Sequence, residues 1–161
     1  MRVALFEPDI AGNAGTIIRL GACMGVPVDL IEPMGFPWGA AALRRSGMDY
    51  AEAADVTRHA DWNAFRAATP GRLVLATTRG ATGLWDARFG PDDVLLLGSE
   101  GRGVPDHVHA AAGLRVIIPM QPGLRSLNVA VAGAMILGEM LRQTHYLRGH
   151  PRQDGSPLPQ R

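Results

Sequence analysis

Three stretches of this chain place chemically useful side chains close together. The first is Asn13-Ala-Gly15-Thr-Ile-Ile-Arg19. Gly12 and Gly15 permit a tight turn into a helix, and Arg19 follows Gly15 by about one turn, near the helix start. Arginine stays protonated in proteins, so Arg19 suits stabilisation of a developing negative charge rather than proton abstraction. Read alone, the stretch equally describes a capped helix carrying a surface arginine. The second is LLLGSEGRGVP, residues 95–105, where Gly98, Gly101 and Gly103 alternate with Ser99, Glu100 and Arg102. A glycine loop at the carboxyl end of a parallel strand is where α/β proteins bind ligands, and permissive residues cluster where backbone must approach one. Its GxxGxG order is neither the dinucleotide fingerprint nor a phosphate loop, which needs GK[ST]. The third is IIPMQPGLRSLNVAVA, residues 117–132, a strand and a proline-containing loop followed by Arg125-Ser-Leu-Asn128 at the start of a helix. Ser126 or Asn128 can cap that helix. The helix start and Arg125 also suit a phosphate group.

These stretches need a frame. Continuous apolar runs at 3–6, 28–31, 73–77, 94–97 and 116–118 predict buried strands. Between them, helical patterns fall at 15–24, at 40–45, after an Asp61 cap, from Pro105 to 112, and from a Ser126 cap to about 147. Apolar strands separated by helices indicate a parallel sheet covered on both faces. The last helix, LNVAVAGAMILGEMLRQ, is apolar on nearly every side until Glu139. A surface helix carries a polar stripe, so the fold, a partner subunit, or both must bury this one. Residues 149–161 hold three prolines and two glycines among polar residues and read as a disordered tail. The expected domain is therefore 1–148.

Composition sets outer bounds. At 161 residues the chain suits one domain, and 47% hydrophobic with 19% charged residues is ordinary for a globular protein. The lone Cys23 excludes an internal disulfide and has no metal-binding neighbours, so a cytoplasmic protein without metal is expected. Neither a signal peptide nor a membrane-spanning run is legible. The net charge is +1 and all 16 basic residues are arginine. An RNA partner would thus be held by local arginines, not by a global field. Arg44 with Arg45, and Arg58 with His59, are such pairs, and Arg102 and Arg125 flank the glycine-loop and helix-start stretches.

Together, in this order and at successive strand ends, the three stretches resemble the motifs of the SPOUT, or trefoil-knot, RNA methyltransferases. The resemblance runs from Arg2 to about Gln143. FEPDIAGNAGTIIRL, IEPMGFPW, LRRSGMDY and VTRHADW make the chain similar to the small single-domain TrmL (YibK-like) subfamily of tRNA wobble 2'-O-methyltransferases. That resemblance implies an α/β fold with a C-terminal trefoil knot and a homodimer whose substrate site spans both subunits. It implies S-adenosylmethionine as donor, leaving as S-adenosylhomocysteine, held around Ala76, Thr77, Gly98, Glu100, Gly103, Ile118, Met120 and Ser126. It implies a reaction centre of Arg19 with Asn13, Glu100, Ser126 and Asn128. The implied substrate is the anticodon stem-loop of a tRNA, a leucine tRNA above all, methylated on the ribose of C34 or modified U34. Arg44, Arg45, Arg58, Arg102 and Arg125 are the expected RNA contacts. The alternative is a catalytically silent knot-fold RNA-binding or ribosome-assembly protein, which would not need the donor.

Overall fold

The sheet grows outward from its most apolar strands. A computed structural model describes residues 1–39, 54–79 and 82–144. The chain runs β1 (Arg2–Phe6), α1 (Ala11–Met24), β2 (Val28–Ile31), β3 (Val56–His59), α2 (Trp62–Ala68), β4 (Leu73–Ala76), β5 (Thr82–Gly83), β6 (Val94–Leu97), α3 (Asp106–Ala111), β7 (Leu114–Ile117) and α4 (Val129–Thr144). All seven strands among the described residues join one sheet in the order β3-β2-β1-β6-β4-β7-β5, and every pairing among them is parallel. The central β6, VLLL, is buried along its whole length. That is the signature of a strand covered on both faces. One face carries α1 and α4 over Val3, Leu5, Leu95 and Leu97; the other carries α2 and α3 over Ala4, Phe6, Leu75 and Leu96. β7 sits between β4 and β5, which follow each other in the chain.

Several boundaries differ from those read in the sequence. Helix α1 begins at Ala11, so Gly12 and Gly15 lie within its first turns rather than in a turn leading into it. Asn128, not Ser126, caps α4: its Oδ1 accepts from the amides of Ala130 (2.9 Å) and Val131 (3.2 Å). Pro105 is the cap residue of α3, one place before the helix proper. β4 ends one residue early, and β7 runs over Leu114–Ile117. Two strands had no apolar run to announce them: β3, VTRH, which forms one edge of the sheet, and the two-residue β5, which forms the other. Neighbouring side chains on β3 point to opposite faces, so Arg58 and His59 do not form a surface pair. His59 is buried against Asp29 (Nε2 to Oδ1, 2.8 Å), whose carboxylate also takes two hydrogen bonds from Arg2. Asp61 caps α2 as expected, accepting from Ala64 N at 2.8 Å. Arg44, Arg45, the helix expected at 40–45 and the tail lie outside the described residues.

α4 resolves the question of its apolar faces in part. Ala130, Gly133, Ile136, Leu137, Met140 and Leu141 are buried against the sheet. At Gly133 an added Cβ would lie 2.8 Å from a Leu97 methyl, so helix and strand touch through the missing side chain. Val131, Ala134 and Gly138 remain exposed on the other side. Val131, with Leu127, Leu124 and Ile10, leaves large apolar groups in solvent.

Candidate active site

The glycine loop after β6 is built from its own backbone. Ser99 N donates to Gly103 O (3.0 Å) and Gly103 N to Ser99 O (2.8 Å), so residues 99–103 close into a tight turn. A Cβ on Gly98 would lie 2.8 Å from the Gly103 carbonyl carbon, and Gly103 has φ +68. Two of the three glycines are thereby explained: Gly98 admits the returning backbone, and Gly103 takes a left-handed conformation. The close approach at Gly98 is to the loop's own backbone, and Gly98 also stands beside the cavity described below. Ser99 is buried, while Gly101 and Arg102 form an exposed tip.

Side chains then tie this loop to the other two stretches. Glu100 accepts from Asn13 Nδ2 at Oε1 (2.9 Å) and from the Asp9 amide at Oε2 (2.8 Å). Asn13 Oδ1 in turn accepts from Asn128 Nδ2 (3.0 Å). Glu100, Asn13 and Asn128, far apart in sequence, make one chain of hydrogen bonds at the carboxyl ends of β1 and β6. Asp9 Oδ2 accepts from Ser99 Oγ (2.5 Å) and Gly101 N (3.1 Å). Those bonds, the Ser99 hydroxyl first, hold the Asp9 carboxyl below its ordinary pKa, so it is ionised at neutral pH. Glu7 has φ 44, a strained conformation for a residue with a side chain, and its carboxylate lies 3.5 Å from Arg102.

Beside this network opens a cavity of about 880 Å³, within the ordinary size of ligand sites. Leu97, Val116 and Ile136 give it apolar walls; Arg79, Arg102 and Arg125 are among the residues around it. Ala76, Thr77, Gly98, Glu100, Gly103, Ile118, Met120 and Ser126 all line it, as do Asn13 and Asn128. Arg19 does not: it is exposed on α1, about 240° round and about 9 Å along the helix from Asn13. Arg58 is also elsewhere. β3 lies three strands from β6, or about 14 Å at ordinary spacing. Its guanidinium is bonded to Glu32 and stacked 5.5 Å from the centre of the Trp38 ring. Sequence reasoning missed Asp9 and Arg79. Asp9 stands just before a helix, where aspartate usually signals a cap; its side chain instead reaches a loop about 90 residues away. Arg79 comes from the stretch between β4 and β5 and pairs with Asp106 (3.1 Å), both well exposed.

A cavity over the carboxyl ends of a parallel sheet, walled by a glycine loop without the GxGxxG spacing, defines a ligand-binding α/β protein outside the dinucleotide-binding class. The chain belongs to the SpoU rRNA methylase family, whose model matches residues 1–138. That membership implies the knot, and the insertion of β7 between β4 and β5 agrees with it. The tRNA (cytidine(34)-2'-O)-methyltransferase of Ancylobacter novellus is 56% identical over 147 residues, 89% of this chain and 93% of that protein. A solved structure concerned with 2-OH methylation of C/U34 on tRNA matches with a TM-score of 0.83 at 39% identity, covering 88% of this chain and 94% of that one. The AdoMet-bound rRNA methyltransferase of Sinorhizobium meliloti matches with a TM-score of 0.78 at 28% identity, covering 88% of this chain and 55% of that one.

Proposed function

We propose that this chain is a tRNA (cytidine(34)-2'-O)-methyltransferase, transferring a methyl group from S-adenosylmethionine to the ribose of the wobble nucleotide. The observation that carries this reading is the convergence of three separate stretches on one cavity, joined by the Glu100–Asn13–Asn128 chain. The cavity suits the donor: Leu97, Val116 and Ile136 offer apolar surface to a nucleobase, and Glu100 adds a carboxylate to its lining, which suits a cationic ligand. Ala76, Gly98, Ile118 and Ser126 are the backbone and small-residue walls that would hold it. Bound there, S-adenosylmethionine supplies an electrophilic methyl on a sulfonium.

This chain's residues supply alignment and charge. Asn13, fixed at both ends of its amide, and Asn128 orient the ribose edge of the substrate. Arg19 stabilises negative charge developing on the 2'-oxygen, since a guanidinium does not act as a base, and the hydroxyl proton passes to an RNA phosphate or to water as the methyl leaves the sulfonium for the oxygen. Because Arg19 stands away from the cavity of its own chain, it serves the cavity of a second copy. The homodimer follows: the exposed apolar side of α4, with Leu124, Leu127 and Ile10 beside it, is the surface that a second copy covers. Arg102 and Arg125, beside the cavity, contact the anticodon stem-loop, with Arg44 and Arg45 as further contacts. A cytoplasmic location fits a tRNA substrate; no helix among the described residues is long and apolar enough to cross a membrane.

The test is to incubate the protein with labelled S-adenosylmethionine and total tRNA, then map the label. The expected product is methylated on the 2'-oxygen of nucleotide 34 and resists alkaline cleavage at that linkage. A methyl on a base, or at another position, refutes the assignment of substrate; failure to bind the donor refutes the reading as an enzyme.

A further inference from the structure

We infer that Asp9 is a positioning residue for the donor site, setting the glycine loop and the Glu100 carboxylate without touching the donor itself. This rests on the proposed reading of the cavity as a donor site.

The two ends of Asp9 between them bond three consecutive residues, Ser99 to Gly101. Its carboxylate takes hydrogen bonds from Ser99 Oγ and Gly101 N, and its amide gives one to Glu100 Oε2. Asp9 is not a helix cap in this role. The cap residue of α1 is Ile10, which makes no side-chain cap bond. Nor does Asp9 line the cavity, whereas Ser99 and Glu100 do. The three bonds therefore join the start of α1, which carries Asn13, to the loop that walls the cavity. Glu100 is held between the Asp9 amide and Asn13, so a shift of residue 9 moves the group shared by the donor loop and the hydrogen-bond chain.

Residue 9 is itself braced from behind. Gly35 N donates to Pro8 O at 2.9 Å, and a Cβ on Gly35 would lie 2.9 Å from both Cα and O of Asp9. Such a contact with backbone forces a shift. Gly35 thus gives a second way to disturb Asp9 while leaving its carboxylate in place.

The chemistry distinguishes the substitutions. Asp9→Ala removes the acceptor for both Ser99 and Gly101. Asp9→Asn keeps a neutral oxygen that can accept from the same two donors, so it retains the geometry with weaker bonds. Ser99→Ala removes the bond to Asp9, together with the long one that Ser99 Oγ accepts from Arg102 N (3.4 Å), and leaves the Gly101 amide bound to Asp9. If Asp9 acts through Ser99 and Gly101, the effects of Asp9→Ala and Ser99→Ala do not add.

The experiment is calorimetric titration of S-adenosylmethionine into the purified full-length protein and its variants, with thermal melts alongside. Donor Kd should rise about tenfold in Asp9→Ala and less than about threefold in Asp9→Asn, with the double variant within about twofold of Asp9→Ala. A donor Kd within about twofold of wild type in folded Asp9→Ala, or fully additive effects in the double variant, would overturn the inference. Ser99→Ala and Gly35→Ala carry the test if Asp9→Ala does not fold. Both should raise Kd by about threefold or more, and values within about twofold of wild type in both would overturn it. Wild-type protein that does not bind the donor overturns the functional reading and this inference together. Binding by wild type with no effect of residue 9 overturns this inference alone.

Discussion

Asn128 does two separable things, and one substitution can separate them. Its Oδ1 caps α4 through the amides of Ala130 and Val131, and its Nδ2 donates to Asn13. Asn128→Ala loses both. The cap is worth about 1 kcal/mol, which lowers Tm by about 2–4 °C for a chain of this size. Asn128→Asp keeps the acceptor and adds a negative charge at the positive end of the helix, so stability should hold or rise slightly. The link to Asn13 is nevertheless lost, because a carboxylate then faces Asn13 Oδ1. Turning the Asn13 amide over to donate to Asp at 128 would put its oxygen against Glu100 Oε1, where Asn13 Nδ2 now donates at 2.9 Å. Either way one oxygen–oxygen contact remains in place of a hydrogen bond. A loss of about 1.5 kcal/mol in alignment corresponds to roughly a tenfold fall in kcat/KM. Thermal unfolding and methyl transfer to tRNA are measured on the same preparations. Asn128→Asp with wild-type kcat/KM would refute the role of the Asn13–Asn128 link, and Asn128→Ala with an unchanged Tm would refute the cap.

Arg19→Ala should keep the fold and the donor Kd but lose most turnover, about a hundredfold or more for a group that acts only on the transition state; near-wild-type activity discards the role. Val131→Glu, on the exposed side of α4, should turn a dimer into a monomer in sedimentation without disturbing the buried face, and wild-type protein that sediments as a monomer would remove the shared site. Glu139 is held down to a pKa of about 2, first by Arg142 and then by Gln143. A lowered carboxyl pKa gives stability that is present above the unfolded value and lost as pH falls through the folded one. Glu139→Gln should therefore be destabilising at pH 7, by about 1 kcal/mol, in denaturant melts. The difference from wild type should shrink from pH 4.5 down towards pH 2; a pH-independent difference would show that the ion pair is not its source.

What the sequence determined by itself is local. Runs such as VLLL and LVLA are apolar on both faces and too short for a helix, which marks buried strands, and Asp61 precedes a helical pattern whose amide three residues on its oxygen reaches. The three chemical stretches were legible because glycine, proline and polar residues fall at the ends of those runs. β3 and β5 were not: three of the four residues of VTRH are polar, as suits an edge, and TG is too short to carry any pattern, so both owe their state to the strands beside them. The same holds for the site. Whether Asp9 caps its own helix or clamps a distant loop depends on where β1 and β6 end, and they end side by side only because they pair in register, Leu5 against Leu97. The choice between Ser126 and Asn128 as the cap of α4 depends on where the helix begins against the sheet, a point fixed where Gly133 meets Leu97. Hydrogen bonds between residues about 90 positions apart have no period or spacing to announce them; only the packing of the sheet decides that they form.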